Sequence, residues 1–167
     1  LGHALGLKHG HEGAVGNDIV LPRERNSWEF AVMTYRPYVG STGQFPAAQG
    51  EQPQTYMMQD IAALQRMYGA NFETNSGDTV YSWNPSTGET LVNGVGQSLP
   101  AKNRVFLTIW DGGGKDTYDL SNYSTHLNVD LAPGSWSVFS KAQLAFLGKN
   151  HYARGNVFNA LLYDNDP

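Results

Sequence analysis

Beyond Asn71 the chain is written in short runs rich in β-branched and aromatic residues, at 79–83, 90–92, 105–110, 117–120, 127–131 and 157–162. Gly, Pro, Asn and Asp separate them, which is the pattern of an all-β sandwich or roll. Pro85-Ser86-Thr87-Gly88 reads as a hairpin-like turn between the first two runs. Before Asn71 one helix stands out. Met57, Ile61, Leu64 and Tyr68 fall on a single face at period 3.6, with Thr55 as the expected N-cap and Gly69 in the C′ position. That face reads as core packing. Residues 7–28, punctuated by Gly10, Gly13, Gly16, Asn17, Asp18 and Pro22, and residues 39–54 read as loops. The expected fold class is α+β: an α-containing piece over 1–70, then a mostly antiparallel β sandwich or roll over 71–167.

Length and charge narrow the function classes. At 167 residues and 40% hydrophobic content, the chain can bury a real core and reads as one domain or one and a half. It has 15 acidic against 11 basic residues and a net charge of −4, so no basic surplus exists to neutralise a phosphate backbone; nucleic acid is not an expected partner. No apolar run approaches the roughly 18 residues of a membrane span. Cysteine is absent, which leaves His, Asp, Glu, Tyr and carbonyl oxygens as possible metal ligands. The first residues read as helix interior and the last end just after an apolar run, so the chain is expected to be a piece of a longer polypeptide.

His3, Gly6 and His9 stand as H-x-x-G-x-x-H. Six residues turn a helix by about 600°, so the two imidazoles cannot share one face of a continuous helix. A glycine with positive φ can end the helix and swing His9 back toward His3. Two neutral imidazoles converging on one point suit zinc; two surface histidines around a turn remain the alternative on spacing alone. Asp111-Gly112-Gly113-Gly114-Lys115-Asp116 sets two carboxylates five apart around three glycines. Such a turn can face carboxylate and carbonyl oxygens toward one calcium ion, or it can be a Gly-rich hairpin with exposed Asp.

Leu1-Gly2-His3-Ala4-Leu5-Gly6-Leu7-Lys8-His9 matches the second half of the metzincin zinc motif H-E-x-x-H-x-x-G-x-x-H, and Ala31-Val32-Met33-Thr34-Tyr35 resembles the Met-turn of the serralysin branch. The segments around Gln54 to Gln65, Tyr68 to Asn71, Gly77 to Tyr81 and Phe106 to Tyr118 also resemble serralysins. The resemblance implies a secreted zinc endopeptidase, acting on protein or peptide substrates as a monomer. Residues 1–70 would close its catalytic domain and 71–167 would open its calcium-binding β-roll. By the same resemblance His3 and His9 are the second and third zinc ligands, and Met33 forms an apolar floor beneath them. Tyr35 binds zinc or donates to the oxyanion. Calcium is implied at Asn75, Gly77, Thr79, Asp111, Gly113, Gly114 and Asp116, clamping the junction of the two pieces. The family usually carries Arg at the place of Asn75, a change that a backbone carbonyl ligand survives.

One departure matters. The first His and the general-base Glu of the motif would precede Leu1, so the chain as given is expected to bind zinc weakly and to show no significant turnover. His11 and Glu12 read as solvated loop residues. Two other readings stand beside the protease: a non-catalytic, calcium-stabilised β module, and a sugar-binding sandwich using Trp83, Trp110 or Trp136.

Overall fold

The computed structural model describes residues 1–13, 18–42 and 49–164. Gly16 and Asn17 of the first expected loop, residues 43–48 of the second, and Asn165-Asp166-Pro167 lie outside the described residues. Among the described residues the chain is mostly β, with one α-helix, α1, over Met58–Tyr68.

The helix ends as expected and begins two residues late. Gly69 terminates it at φ 85°, its N–H bonded to the Gln65 carbonyl at 2.7 Å. The N-cap is Met57 rather than Thr55. The Thr55 hydroxyl is engaged elsewhere, accepting the Thr108 N–H at 2.9 Å. Asp60 supplies the missing cap by accepting the Met57 N–H at 3.0 Å, the reaching-back half of a capping box. The buried face also differs from the expected stripe. Met58, Asp60 and Gln65 are buried, whereas Tyr68 is 68% exposed and its hydroxyl donates to the Leu5 carbonyl.

Among the described residues nine short strands follow: β1 (Val80–Trp83), β2 (Thr90–Val92), β3 (Val95–Gly96), β4 (Leu107–Ile109), β5 (Thr117–Asp119), β6 (Trp136–Ser137), β7 (Phe146–Gly148), β8 (His151–Tyr152) and β9 (Val157–Asn159). They form sheets ordered β3-β2-β1-β5, β4-β9-β6 and β7-β8. Pairing is mostly antiparallel, but β1–β5 and β4–β9 run parallel. The Pro85–Gly88 turn does close the β1–β2 hairpin. The run 127–131 is not a strand. It is exposed throughout, so neither face has a core to rest on, and it keeps only a bridge between Asn128 and Val138.

Two cores lie on opposite sides of β9. Val157 and Leu107, paired in register, face one core with Tyr81, Trp83 and Phe139; Phe158 and Phe106 face the other. The second core crosses between the two expected pieces, because Trp28, Phe30, Tyr38, Met57 and Met58 pack there with Phe106, Leu147 and Phe158. Polar links run the same way. Glu51, 3% exposed, accepts from Lys102, Arg104 and the Phe146 N–H. Burial works to raise its pKa, yet those three partners hold it below the ordinary carboxylate value. Buried Glu29 accepts the Arg154 N–H at 2.8 Å. Trp83, one of the three residues of the sugar-binding reading, is fully buried against Phe139 and Tyr118 and cannot present its face to a sugar.

Candidate metal centres

The chain begins in a single 3-10 turn over His3–Leu5, which Gly6 ends at φ 85°, ψ 0°, with its N–H on the His3 carbonyl. A side chain in that left-handed conformation would be strained, and the reversal it permits brings His9 back. The His3 and His9 rings stand edge to face, centroids 4.6 Å apart. Each ring is oriented through the same nitrogen. His3 Nδ1 lies 2.9 Å from the Leu7 carbonyl and His9 Nδ1 lies 3.1 Å from the Met33 carbonyl. A carbonyl only accepts, so Nδ1 carries the proton in both neutral rings and both Nε2 atoms keep their lone pairs. His9 Nε2 accepts from the Tyr35 hydroxyl at 2.7 Å.

The turn from Ala31 to Tyr35 is held from several sides. The Met33 carbonyl accepts the Gly10 N–H as well as the His9 ring, and the Met33 thioether lies against Gly2. Trp28 Nε1 donates to the Thr34 carbonyl at 3.0 Å, and the Thr34 hydroxyl bonds Asn26. Asp60, from the start of α1, accepts the Val32 N–H at 2.6 Å. Sequence reasoning passed over Asp60; a carboxylate three residues past a helix N-cap was the available signal. His11 stacks 5.8 Å from His9 and is exposed, as is Glu12. Among the described residues no group of three His, Asp or Glu side chains is placed to hold an ion.

Asp60 lends itself to a two-variant test. Asp60→Ala leaves the N–H groups of half-buried Val32 and buried Met57 without an acceptor, and should cost about 2–3 kcal/mol. Asp60→Asn keeps an acceptor oxygen and should cost much less. Burial chiefly raises the folded-state pKa of Asp60, against the N–H bonds that lower it. The stability tied to that shift is therefore complete below the ordinary Asp value and is lost as pH rises through the folded one. Asp60→Asn should gain on the wild type as pH rises through that window. Thermal melts of both variants from pH 3 to pH 7 check it, and equal losses for Ala and Asn would refute it.

The second centre forms where 72–79 meets 111–116. The Gly112 N–H donates to the Thr74 carbonyl at 2.7 Å. Gly114, at φ 109°, sits so close to the Gly77 carbonyl that any Cβ would collide with it. The Thr79 hydroxyl lies 3.1 Å from the Asn75 carbonyl and 2.9 Å from that of Gly77, while the Thr79 N–H donates to Asp116 at 3.0 Å. Asp111 accepts the Gly113 N–H at 3.0 Å and the Tyr81 hydroxyl at 2.5 Å. The seven residues singled out from the sequence therefore lie along two apposed loops. Two were not foreseen: Asp78, which accepts the Lys115 N–H, and Tyr81.

The charge at this junction is predominantly negative, with Asp78, Asp111 and Asp116 against Lys115. Among the described residues no Lys or Arg forms an ion pair with Asp78, Asp111 or Asp116. Burial, then the charges of Asp111 and Asp78, raise the Asp116 pKa, against the pull of the Thr79 N–H. Burial and the neighbouring carboxylates push the phenols of Tyr81 and Tyr118 well above their ordinary range.

Comparison with known proteins finds relatives of this chain. Residues 70–142 match the family described as Peptidase M10 serralysin C terminal. Serralysin B of Dickeya chrysanthemi is 37% identical over 142 residues, Metalloprotease AprA of Pseudomonas entomophila (strain L48) 32% over 142, and Serralysin of Proteus mirabilis 30% over 141. Each alignment covers 82% of this chain and 27–28% of the relative, so the chain spans little more than a quarter of the proteins it matches. Only 97 residues follow Ala70, so coverage of that extent includes part of the first 70 residues. The chain is therefore a relative of the serralysin metalloproteases, and its residues 70–142 belong to their C-terminal family.

Proposed function

We propose that this chain is part of a secreted zinc endopeptidase: residues 1–70 the end of its catalytic domain, 71–167 the start of a calcium-binding β-roll domain. One observation carries the reading. Both imidazoles give Nδ1 to a backbone carbonyl and leave Nε2 as the acceptor, met at His9 by the Tyr35 hydroxyl, and Nδ1 held by a carbonyl is the arrangement of metal-bound histidine. The donor set of two nitrogens and a phenol oxygen fits zinc, and the carbonyl, hydroxyl and carboxylate oxygens at the 72–79 and 111–116 junction fit calcium.

His3 and His9 would hold zinc, with Tyr35 as a further ligand at rest. Bound zinc would polarise the scissile carbonyl and acidify a water. Tyr35 places a hydroxyl donor beside His9 Nε2, where it can hydrogen-bond an oxyanion forming next to that nitrogen. Met33 keeps the His9 ring in place through its carbonyl and supplies apolar surface through its thioether. The general base would be the motif Glu, which none of the described residues represents. Asn75, Gly77, Thr79, Asp111, Gly113, Gly114 and Asp116 would hold calcium and tie the two loops together.

Zinc titration by calorimetry tests the reading. The chain should take up one zinc weakly. Loss of even an outer partner costs about 10–100-fold in metal affinity, so His3→Ala and His9→Ala should each cost at least that. Casein should not be cleaved at a significant rate. Absence of zinc uptake would leave the non-catalytic calcium-stabilised module as the better reading, and casein turnover by the chain alone would overturn the need for an upstream base.

A further inference from the structure

We propose that the cleft beside Tyr35 receives an acidic side chain of the bound peptide, held by Arg23 and Arg36. The proposal rests on the metal-centre reading, which puts the scissile bond next to Tyr35.

The cleft is large, about 850 Å³, and His11 and Tyr35 form the wall nearest the histidines. Its charge runs against that of the whole chain. The protein carries a net charge of −4, yet among the described residues this lining holds two arginines and no carboxylate. Among the described residues neither Arg23 nor Arg36 forms an ion pair; the three bridges present use Lys102, Arg104 and Arg154. Two arginines lining one cleft, neither in an ion pair among the described residues, favour a carboxylate arriving from outside, which a guanidinium can hold through paired N–H donors.

Both arginines stand on fixed backbone. Arg36 accepts the Trp28 N–H through its carbonyl at 2.9 Å and gives its own N–H to the Thr34 hydroxyl at 3.2 Å. Arg23 opens the 3-10 turn Arg23–Arg25, whose C-cap is Asn26. Asn26 takes the Thr34 hydroxyl, so the wall carrying Arg23 is bonded to the residue beside Tyr35. The cleft and the metal-facing turn are thus parts of one hydrogen-bonded frame, and a side chain seated against the arginines is held in fixed relation to Tyr35.

The test uses fluorescein-labelled peptides Gly-Gly-X-Ala-Leu-Gly with X as Glu, Gln or Lys, read by anisotropy on the zinc-loaded chain, with the zinc titration run alongside. The Glu peptide should bind about tenfold more tightly than the Gln peptide at low salt, and high salt should erode that margin. Arg23→Glu/Arg36→Glu should invert the order in favour of the Lys peptide, which a merely damaged fold would not do. Equal or undetectable binding of the Glu and Gln peptides with zinc uptake intact overturns this proposal and leaves the metal centre standing. Failure of zinc uptake with a Glu preference that tracks the arginines keeps the cleft and overturns the metal centre. A Glu preference unchanged in the double variant overturns the role of the arginines.

Discussion

Calcium added to chelator-stripped protein is expected to raise its melting temperature by about 10 °C. A ligand at a thousand times its dissociation constant contributes about 4 kcal/mol to the folded state, and chains of this size shift by about 2–4 °C per kcal/mol. The physical source is the predominantly negative charge where 72–79 meets 111–116. Burial, and then the charges of Asp111 and Asp78, raise the pKa of Asp116, and among the described residues no cationic side chain forms an ion pair with any of the three. A divalent cation among these oxygens would turn that repulsion into attraction. The same argument fixes the signs for variants. Asp116→Asn and Asp111→Asn should abolish most of the calcium-dependent shift, yet slightly stabilise the calcium-free protein by removing a repelling charge. The Asp116 pKa is raised, so the stability tied to it is present below the ordinary Asp value and lost as pH rises through the folded one. Melts in chelator should weaken across that window, and melts in calcium should not. Identical melting with and without calcium would remove the clamp from the description of this molecule.

What could be read from the sequence was local. Gly6 announced a reversal, and the reversal is there at φ 85°. The amphipathic period located α1, and the runs at 79–83, 90–92, 105–110, 117–120 and 157–162 each hold a strand. What escaped was set by partners distant in the chain. Thr55 looked like a cap because Ser and Thr usually are caps, but Thr108, brought alongside by the fold, claims its hydroxyl. Tyr68 completes the apolar stripe by spacing and still points outward, since the deeper packing of α1 falls on Met58. Strands β3, β6 and β8 are two residues long, too short for any period to register. The run 127–131 has a strand's composition and no core to face, so composition alone misled. At the metal centres the ligand candidates came from motif spacing, whereas Asp78 and Tyr81 became visible only as bonding partners across 37 and 30 residues of chain.

Phe158→Ala is expected to cost about 4 kcal/mol, and therefore to lower the melting temperature by about 8–16 °C. Phe158 is fully buried on the middle strand of its sheet, with Phe106, Trp136 and Phe30 rings at 6.0, 5.9 and 6.4 Å. Truncation leaves a void between rigid rings that cannot all collapse into it, which places the cost toward the upper part of the usual range. The location of Phe30 gives the result its wider use. Phe30 precedes the Met33 turn by three residues, and its N–H and carbonyl bond Ser27 and Gln59. The segment presenting Tyr35 therefore rests on the same ring that Phe158 supports from the β9 side. If the two pieces of the chain share one folding unit, imidazole resonances of His3 and His9 should report the same melting midpoint as the near-ultraviolet signal of the buried aromatics, in wild type and variant alike. Midpoints that separate in the variant, with the histidines holding while the sheet melts, would show that residues 1–70 keep their own stability and only lean on the rest.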